Sequence, residues 1–302
     1  MKKKILIIGG TGFIGYHLAY RCIKLNWSVV SVSTKKPVKK RLLKRIKYKI
    51  CDISIKKNLS NIAKYKYDYV VNLGGYVDHI NKTKTYRTHF LGAKNLFNVF
   101  KNKKLKSFIQ IGSSMEYGTI GSPHRESLKG NPKGVYANSK FLASRFLLNC
   151  YNKYNFPVTV IRFYQLFGPN QDTNRFIPIL INASLNKKEF ITSSGIQSRD
   201  FLYVDDAIDA IIKSIKSKDS KGKIFNIGAG IPVKLKKIIA IVKQQLKHCY
   251  PIYGKIKLRK DEPMILYPNV NLAKKVLKWK NKTTLKSGIN KTIIYYKNFL
   301  KK

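Results

Sequence analysis

Short apolar segments alternate with longer segments of helical periodicity through the first half of the chain. The apolar segments have strand length and are continuously hydrophobic, which predicts parallel strands buried on both faces. In the first helical segment, Ile14, Leu18, Cys22 and Leu25 recur on one face. This alternation is typical of an α/β fold with a doubly wound parallel sheet. The predicted strands are 5–8, 28–33, 48–51, 68–73, 107–112 and 158–163, and the predicted helices are 13–25, 90–100 and 136–154.

The pattern changes after Gly168-Pro169, where the segments become shorter and less regular. Helices are predicted over 176–185 and 206–215, and a last amphipathic helix begins at Leu285. We therefore predict a main α/β domain over 1–168 and a smaller C-terminal lobe formed mostly by 169–302. The region 200–230, which contains a predicted strand at 224–227, leaves a return to the main sheet open.

Charge is the most unusual property of the composition. The 302 residues include 61 Lys and Arg but 14 Asp and Glu, a formal net charge of +47. Lysines occur from Lys2 to Lys302 without forming an arm or tail, so we interpret them as solvated surface rather than a dedicated nucleic-acid interface. The Lys-rich stretch 35–49 is interpreted in the same way, as a solvated helix face. A positive field of this size would attract anionic substrates.

The cysteines and the apolar segments argue against a metal-binding, disulfide-rich, secreted or membrane protein. Cys22, Cys51, Cys150 and Cys249 are isolated from one another and from metal-ligand patterns, so neither a metal site nor a disulfide framework is predicted. The apolar run after Met1 stops at Gly9-Gly10 and has no cleavage site typical of a signal peptide. No segment approaches the roughly 20 apolar residues of a membrane helix. We expect a cytoplasmic protein.

A glycine-rich turn joins the first strand to the first helix. Glycines at these positions allow a tight turn and let the backbone approach a pyrophosphate, whose charge then lies at a helix N-terminus. The position of the motif between strand and helix predicts a Rossmann domain that binds a dinucleotide. The predicted contacts are Gly9, Thr11, Gly12, Phe13, Ile14 and Gly15.

The end of the second strand bears on the choice between NAD and NADP. A carboxylate there binds the ribose hydroxyls of NAD, whereas this chain has Ser33, followed by Thr34 and Lys35. A hydroxyl and a nearby ammonium suit a ribose 2′-phosphate. We therefore favour NADP(H) and keep NAD(H) as the alternative.

Several motifs along the chain resemble those of the extended short-chain dehydrogenase/reductases, in the NAD(P)-dependent epimerase/dehydratase group that acts on nucleotide sugars. Besides the glycine turn they are Asp52-Ile53, Asn72-Leu73-Gly74-Gly75, Ser113-Ser114-Met115-Glu116-Tyr117-Gly118, Tyr136-Ala137-Asn138-Ser139-Lys140, and the block from Arg199 to Asp206. The resemblance implies further cofactor contacts at Asp52, Ile53, Leu73, Gly74, Gly75, Tyr136, Lys140 and Phe163. It also implies a nucleotide-diphosphate sugar as substrate.

The catalytic residues predicted on this basis are Ser113, Tyr136 and Lys140. Tyr and Lys four residues apart share a helix face, so the ammonium can lower the phenol pKa from about 10 and ease proton exchange. Two other pairs, Tyr20/Lys24 and Tyr253/Lys257, have the same spacing. Only Tyr136/Lys140 follows the strand that ends at Ser113, and this placement selects it. Hydride transfer belongs to the nicotinamide.

Three reactions remain open on this scaffold: 4,6-dehydration, 4-epimerisation and reduction of a 4-keto group. The dehydratases of the group place acidic residues just after the catalytic Ser or Thr, where this chain has Ser114 and Met115. Glu116 is one residue further and is expected to face away. Dehydration is therefore disfavoured. The preference for NADP and the resemblance of the lobe to 4-keto-sugar reductases favour reduction to a deoxyhexose, with 4-epimerisation as the alternative.

The resemblance also implies which residues hold the substrate and how the chain assembles. The predicted substrate contacts are Ser114, Met115, Gln165, Arg175, Arg199 and Arg259, the arginines as ligands of the diphosphate. A homodimer is expected through the helices that carry Leu96, Phe97, Phe141 and Phe146. The rival classes are a catalytically silent nucleotide sensor and a nucleic-acid-binding module.

Overall fold

A seven-stranded parallel sheet forms the centre of the structure, a computed structural model that describes residues 2–76, 81–258 and 262–300. The strands in chain order are β1 (Lys4–Ile8), β2 (Ser28–Ser33), β3 (Ile46–Ile50), β4 (Tyr69–Asn72), β5 (Ser107–Ser113), β6 (Val158–Phe163), β7 (Gln165–Phe167), β8 (Glu189–Ile191), β9 (Ser198–Arg199), β10 (Phe201–Tyr203), β11 (Ile224–Ile227), β12 (Val233–Lys234), β13 (Tyr250–Ile252) and β14 (Ile265–Leu266). The sheet has the order β11-β6-β5-β4-β1-β2-β3. The order reverses between β1 and β4, and such a switch point is where open α/β sheets bind ligands.

The helices cover both faces of this sheet and build the lobe. In chain order they are α1 (Phe13–Lys24), α2 (Ser60–Ala63), α3 (Lys82–Tyr86), α4 (Gly92–Phe100), α5 (Gly134–Tyr154), α6 (Phe176–Leu185), α7 (Val204–Lys216), α8 (Leu235–Gln245), α9 (Asn271–Leu277) and α10 (Leu285–Leu300). A π-helical turn over Arg87–Leu91 leads directly into α4.

Two hydrophobic clusters explain why the strands are apolar on both faces. On one face, side chains of β1 and β5 such as Ile7 and Ile111 pack with α1, α7 and Trp279. On the other face, Leu6 and Phe108 pack with α4 and α5. Strands buried in this way need continuous apolar sequence, which is the pattern seen in the chain.

A third cluster forms the core of the C-terminal lobe. It joins α6, α8 and α10 with Phe167 of β7 and Tyr203 of β10. Three small sheets support it: β10 with β7, β12-β9-β14, and β13 with β8. The lobe therefore has its own core, while β11 pairs with β6 in the main sheet.

The predicted elements agree with the structure except in one region. The α/β fold with a doubly wound sheet is confirmed, and β2, β6 and α6 have the predicted bounds. The interpretation of 35–49 as a solvated helix face is wrong: it contains a single 3-10 turn over Lys39–Arg41, and β3 begins at Ile46. Arg41 is only 6 % exposed because its guanidinium binds the lobe.

Neither of two other features sought in the sequence is found within the described ranges. None of the helices there is long and apolar enough to cross a membrane. In the same ranges no cluster of His, Cys, Asp and Glu has the composition of a metal site.

Candidate active site

The glycine turn brings bare backbone to the carboxyl end of β1. Gly9 has φ +74°, and a Cβ there would lie 2.7 Å from the Leu73 carbonyl oxygen. A Cβ on Gly15 would lie 2.6 Å from the Gly10 Cα. Gly12 precedes α1 without a capping side chain, and the first turn of α1 has no acidic residue. The N-terminus of α1 therefore presents amide groups and no negative charge, as an anion requires.

A cavity of about 360 Å³ lies over this turn. Nearly all residues predicted to bind the cofactor in the glycine turn and at the ends of β2, β3 and β4 line it: Gly9, Thr11, Gly12, Phe13, Ile14, Gly15, Ser33, Asp52, Ile53, Leu73, Gly74 and Gly75. We call it the cofactor cavity. The glycine turn in its lining suits a dinucleotide whose pyrophosphate lies at the start of α1.

The end of β2 shapes the part of the cofactor cavity expected to hold the adenosine ribose. The Ser33 hydroxyl accepts a hydrogen bond from the Thr11 amide at 3.3 Å and donates to the Val32 carbonyl at 2.8 Å. Thr34 also lines the cavity, whereas the exposed Lys35 is not among its lining residues. Lys35 can reach a ligand there only by extending from the rim.

A second cavity of about 410 Å³ adjoins the first and shares Phe13, Ile14, Leu73, Gly75, Gln171 and Arg175 with it. It contains the three predicted catalytic residues together with Phe163 and four predicted substrate contacts. Those residues are Ser113, Tyr136, Lys140, Phe163, Ser114, Met115, Gln165 and Arg175. We call it the sugar cavity. A ligand crossing from one cavity to the other would pass beside the residues that the two cavities share.

Ser113 and Tyr136 form the polar centre of the sugar cavity. Ser113 ends β5, Tyr136 lies in the first turn of α5, and their side chains share a hydrogen bond. Burial raises the pKa of Tyr136, and this exceeds the lowering by the Ser113 hydrogen bond and by the charge of Arg175. The direction is opposite to that expected from the Tyr/Lys spacing, because desolvation of the phenolate is the larger effect. The Tyr136 phenol therefore keeps its proton at neutral pH.

Lys140 lies one helical turn after Tyr136 and is 5 % exposed. Its ammonium donates a hydrogen bond to the Ile111 carbonyl at 2.8 Å. Burial lowers its pKa to about 8, and the negative charge of Glu116 opposes this lowering. Lys140 is therefore mostly charged at pH 7 and loses its proton within a unit or so above that.

The three residues after Ser113 have different surroundings. Met115 is 37 % exposed and, like Ser114, lines the sugar cavity. Glu116 is fully buried, accepts the Ser113 amide at 2.8 Å and binds Arg162 through its other oxygen. It is not among the lining residues of either cavity. Glu116 therefore faces away from the sugar cavity, as expected, but the reason is the 3-10 turn over Ser114–Tyr117 and not strand alternation.

A loop from the lobe, residues 168–175, contributes to the lining of both cavities, and of its residues only Arg175 was predicted to do so. Gln171 and Arg175 line both cavities, and Asp172 lines the cofactor cavity. Arg41 binds the loop through the Asn170 carbonyl, with 3.1 Å from Nε, and through the Asp172 carboxylate at 2.7 Å. The run of polar residues directly after Gly168-Pro169 could have indicated this loop, because the run follows two strand ends.

The loop is held at two further carbonyls. The His17 Nε2 lies 2.8 Å from the Pro169 carbonyl, and the Tyr296 hydroxyl donates to the Gln171 carbonyl at 2.7 Å. One contact comes from α1, which packs on the main sheet, and the other comes from α10 of the lobe. Both regions therefore hold the loop in place. Other lining residues of the sugar cavity that were not predicted from the sequence are Tyr76, His89, Ile111, Gly112, Tyr164, Leu166 and Leu266.

The predicted arginines have different positions. Arg175 lines both cavities. Arg199 is 7 % exposed, donates to its neighbour's carbonyl at 2.8 Å and forms an ion pair with Glu262. It is not a lining residue of either cavity. Arg259 lies outside the described residues.

The comparisons with known proteins agree with this geometry. A family model described as the NAD dependent epimerase/dehydratase family matches residues 5–228, which is most of the chain. The chain belongs to this family. It is therefore an enzyme of the NAD-dependent nucleotide-sugar epimerase/dehydratase family, and the resemblance inferred from the motifs is confirmed.

Relatives within this family carry different activities in their names. A dTDP-D-glucose 4,6-dehydratase of Mus musculus is 28% identical over 324 residues, covering 98% of this chain and 90% of the relative. One of Dictyostelium discoideum is 31% identical over 273 residues, but the match spans 79% of this chain and 62% of that protein. A CDP-abequose synthase of Salmonella muenchen is 24% identical over 302 residues, covering 97% and 98%.

Solved structures of the family share the fold. The UDP-glucose 4-epimerase of Thermotoga maritima, solved with UDP-glucose, superposes with a TM-score of 0.92 at 23% identity, covering 98% of this chain and 99% of that one. A UDP-glucuronic acid 4-epimerase of Bacillus cereus, in complex with UDP-glucuronic acid and NAD, gives 0.87 at 23% identity, with coverage of 98% and 99%. At this identity the likeness establishes the fold.

Proposed function

We propose that this enzyme reduces the 4-keto group of a nucleotide-activated sugar that is already deoxygenated at another carbon, uses NADPH as reductant, and gives a deoxyhexose with a hydroxyl on carbon 4. The observation that carries the proposal is the lining of the sugar cavity. It combines Ser113, Tyr136 and Lys140 with no carboxylate among its described lining residues. Such a cavity can move a proton to or from the oxygen on carbon 4, but it has no evident base for removing a proton from carbon 5.

The protonation state of Tyr136 supports reduction in particular. A carbonyl that accepts hydride at carbon must gain a proton at oxygen, and Tyr136 holds its proton because burial raises its pKa. The Ser113 hydroxyl, which is bonded to the same phenol, can donate to the substrate oxygen. Lys140 provides a positive charge on the same helix face, which stabilises the phenolate left after proton transfer. A nicotinamide cofactor held by the residues of the cofactor cavity would supply the hydride when bound.

Dehydration is disfavoured although relatives named 4,6-dehydratases match the chain. Ser114 and Met115 occupy the positions where the resemblance places the acidic residues of dehydratases. A hydroxyl at neutral pH and a thioether are not bases for carbon 5. Glu116 does not replace them, since both of its oxygens accept buried hydrogen bonds.

The preference for NADPH follows from the end of β2. Ser33 and Thr34 line the cofactor cavity where a carboxylate would otherwise repel a 2′-phosphate. Lys35 and the general positive charge favour that phosphate. The carboxylates of Asp52 and Asp172 also line the cavity and favour the unphosphorylated ribose of NAD. Cofactor preference is therefore part of the test.

The diphosphate of the substrate is assigned to Arg175 and Gln165 at the sugar cavity. Arg175 lines both cavities, so its guanidinium can reach an anion lying between them. Arg199 would join them only after leaving Glu262, and we assign it a secondary role. The alternative activity is 4-epimerisation, which uses the same Ser113, Tyr136 and Lys140 and is named for two of the structures with this fold.

The test is a panel of 4-keto nucleotide sugars incubated with purified protein and either NADPH or NADH. If the enzyme is a reductase, at least one 4-keto sugar of the panel should cause a loss of absorbance at 340 nm, with one NADPH or NADH oxidised per sugar reduced. The loss should be faster with NADPH than with NADH. If the protein instead interconverts 4-epimers without net use of added cofactor, and NAD copurifies with it, its activity is 4-epimerisation and not reduction. Release of water from a 4-hydroxy nucleotide sugar to give a 4-keto-6-deoxy product would refute both.

A further inference from the structure

Glu116 is a buried charge directly behind the active site, and the reaction proposed above does not use it. It is 0 % exposed. Its Oε1 accepts the backbone amide of Ser113 at 2.8 Å, and its Oε2 accepts Nε and Nη2 of Arg162 at 3.0 and 2.8 Å. A buried ion pair contributes little net stability compared with apolar packing, so its position calls for a functional explanation.

The backbone is shaped to admit this carboxylate. Gly112 of β5 lies beside Arg162 of β6 in the sheet register. The 3-10 turn after Ser113 folds Glu116 back over Gly112, and a Cβ on Gly112 would collide with the Glu116 Oε1. The Ser113 hydroxyl in turn accepts the amide of Met115 at 3.2 Å. Glu116 thus fixes the strand end from which the Ser113 side chain enters the sugar cavity.

The same carboxylate acts on the proton donors of α5. Lys140 binds the carbonyl of Ile111, the residue before Gly112. The negative charge of Glu116 raises the pKa of both Lys140 and Tyr136. It therefore helps to keep the ammonium charged and the phenol protonated.

We propose that Glu116 is a positioning residue that fixes the Ser113 backbone and holds a negative charge behind the Tyr136–Lys140 pair. It contacts neither cavity, so it acts through these three residues. The proposal rests on the proposed function only in naming Tyr136 as the proton donor, and its deciding test, a titration, uses no substrate.

The direction of the expected effect follows from the charges around the carboxylate. Arg162 approaches Glu116 from β6, and Lys140 and Tyr136 feel its charge from α5. Neighbouring Tyr117 contacts the Arg162 guanidinium, with 4.5 Å from Cζ to the ring centroid. Tyr136 also packs edge-on against the His89 ring and feels the positive charge of Arg175. Loss of the Glu116 charge lowers the pKa of Tyr136, because an anion beside a phenol disfavours the phenolate.

The experiment is an ultraviolet titration of tyrosinate in the full-length protein without substrate. Subtracting the titration of the same protein carrying Tyr136→Phe isolates Tyr136. We expect Glu116→Gln, which keeps an oxygen for the Ser113 amide, to lower the Tyr136 midpoint by about one pH unit. With any nucleotide sugar that is turned over, the limb of the pH–rate profile assigned to Tyr136 should move in the same direction.

A second variant separates the charge effect from misfolding. Glu116→Gln alone leaves the buried Arg162 charge without its anionic partner. Glu116→Gln combined with Arg162→Met removes both charges of the pair. We expect the double variant to recover stability and to keep the lowered midpoint. Glu126→Gln is the matched control: this partly buried carboxylate accepts the Asn226 amide at 2.8 Å and does not act on Tyr136 or Lys140. In this control variant, the Tyr136 midpoint should equal that of the parent.

Two results would overturn the proposal. One is a Tyr136 midpoint in the folded double variant that equals the parent's. The other is loss of the fold in both Glu116 variants, which would make the residue purely structural. Failure of every 4-keto sugar to react would count against the proposed function alone, because the titration is independent of turnover.

Discussion

Replacing Arg41 by Met tests how the loop 168–175 is held over the two cavities. The buried guanidinium donates to the Asn170 carbonyl and the Asp172 carboxylate. A hydrogen bond from a charged donor is worth about 1.5–3 kcal/mol, whereas an ion pair with a partner as exposed as Asp172 adds about 0–1 kcal/mol. We expect Arg41→Met to lower the free energy of unfolding by about 1.5–4 kcal/mol.

The same substitution should weaken ligand binding, because Gln171, Asp172 and Arg175 all lie on this loop. If about 1.4 kcal/mol of loop ordering is transferred to the binding step, the Kd rises tenfold. Urea unfolding and calorimetric titration with NADPH and NADH measure the two quantities. Lys44→Met is the matched control, since it removes an exposed charge from the same connection. A cofactor Kd equal to the parent's in destabilised Arg41→Met would refute the claim that this contact prepares the loop for binding.

Two further predictions concern proton transfer and assembly. The rate of keto reduction should be flat near pH 7 and fall as pH rises through the Lys140 pKa of about 8, because the ammonium that stabilises the Tyr136 phenolate is then lost; a rate rising through pH 9 would contradict this. The chain should form a homodimer, seen in light scattering as twice the mass of 34.7 kDa. On α5, Leu142 is 40 % and Tyr154 64 % exposed. Leu142→Glu on this exposed face should give monomers. A monomeric parent at micromolar concentration would refute the dimer.

The dimer prediction needs one correction from the structure. Leu96 and Phe97 were expected on the pairing helices, yet they are 0 % and 5 % exposed and belong to the core under α4. Phe141 and Phe146 remain partly exposed on α5. Helical periodicity identified an apolar face but did not show whether the sheet or a partner covers it.

Local sequence was sufficient for the features that depend on adjacent residues. The order strand, glycine turn, helix placed Gly9 and Gly15 at the cofactor cavity. The end of β5 and the start of α5 likewise placed Ser113 and Tyr136 in one cavity. Carboxyl ends of parallel strands share one edge of a sheet, and this rule converts linear order into proximity.

Features that depend on long-range contacts were not predicted. Arg41 looked like one of many solvated basic residues, but its partners Asn170 and Asp172 lie about 130 positions later in the chain. The pKa of Tyr136 was expected to fall because spacing reveals the neighbouring Lys140 but not the burial of the phenol. Burial is a property of the packed structure, and here it exceeds the effect of nearby charges.

If Tyr136 donates the proton in a reaction at carbon 4, its replacement by Phe must slow turnover, and steady-state kinetics of Tyr136→Phe measures this. With a 4-keto nucleotide sugar that the parent reduces, we expect kcat to fall by about 10²- to 10⁴-fold, while the Kd of the cofactor stays close to the parent value. Full turnover by the Phe variant would contradict the account.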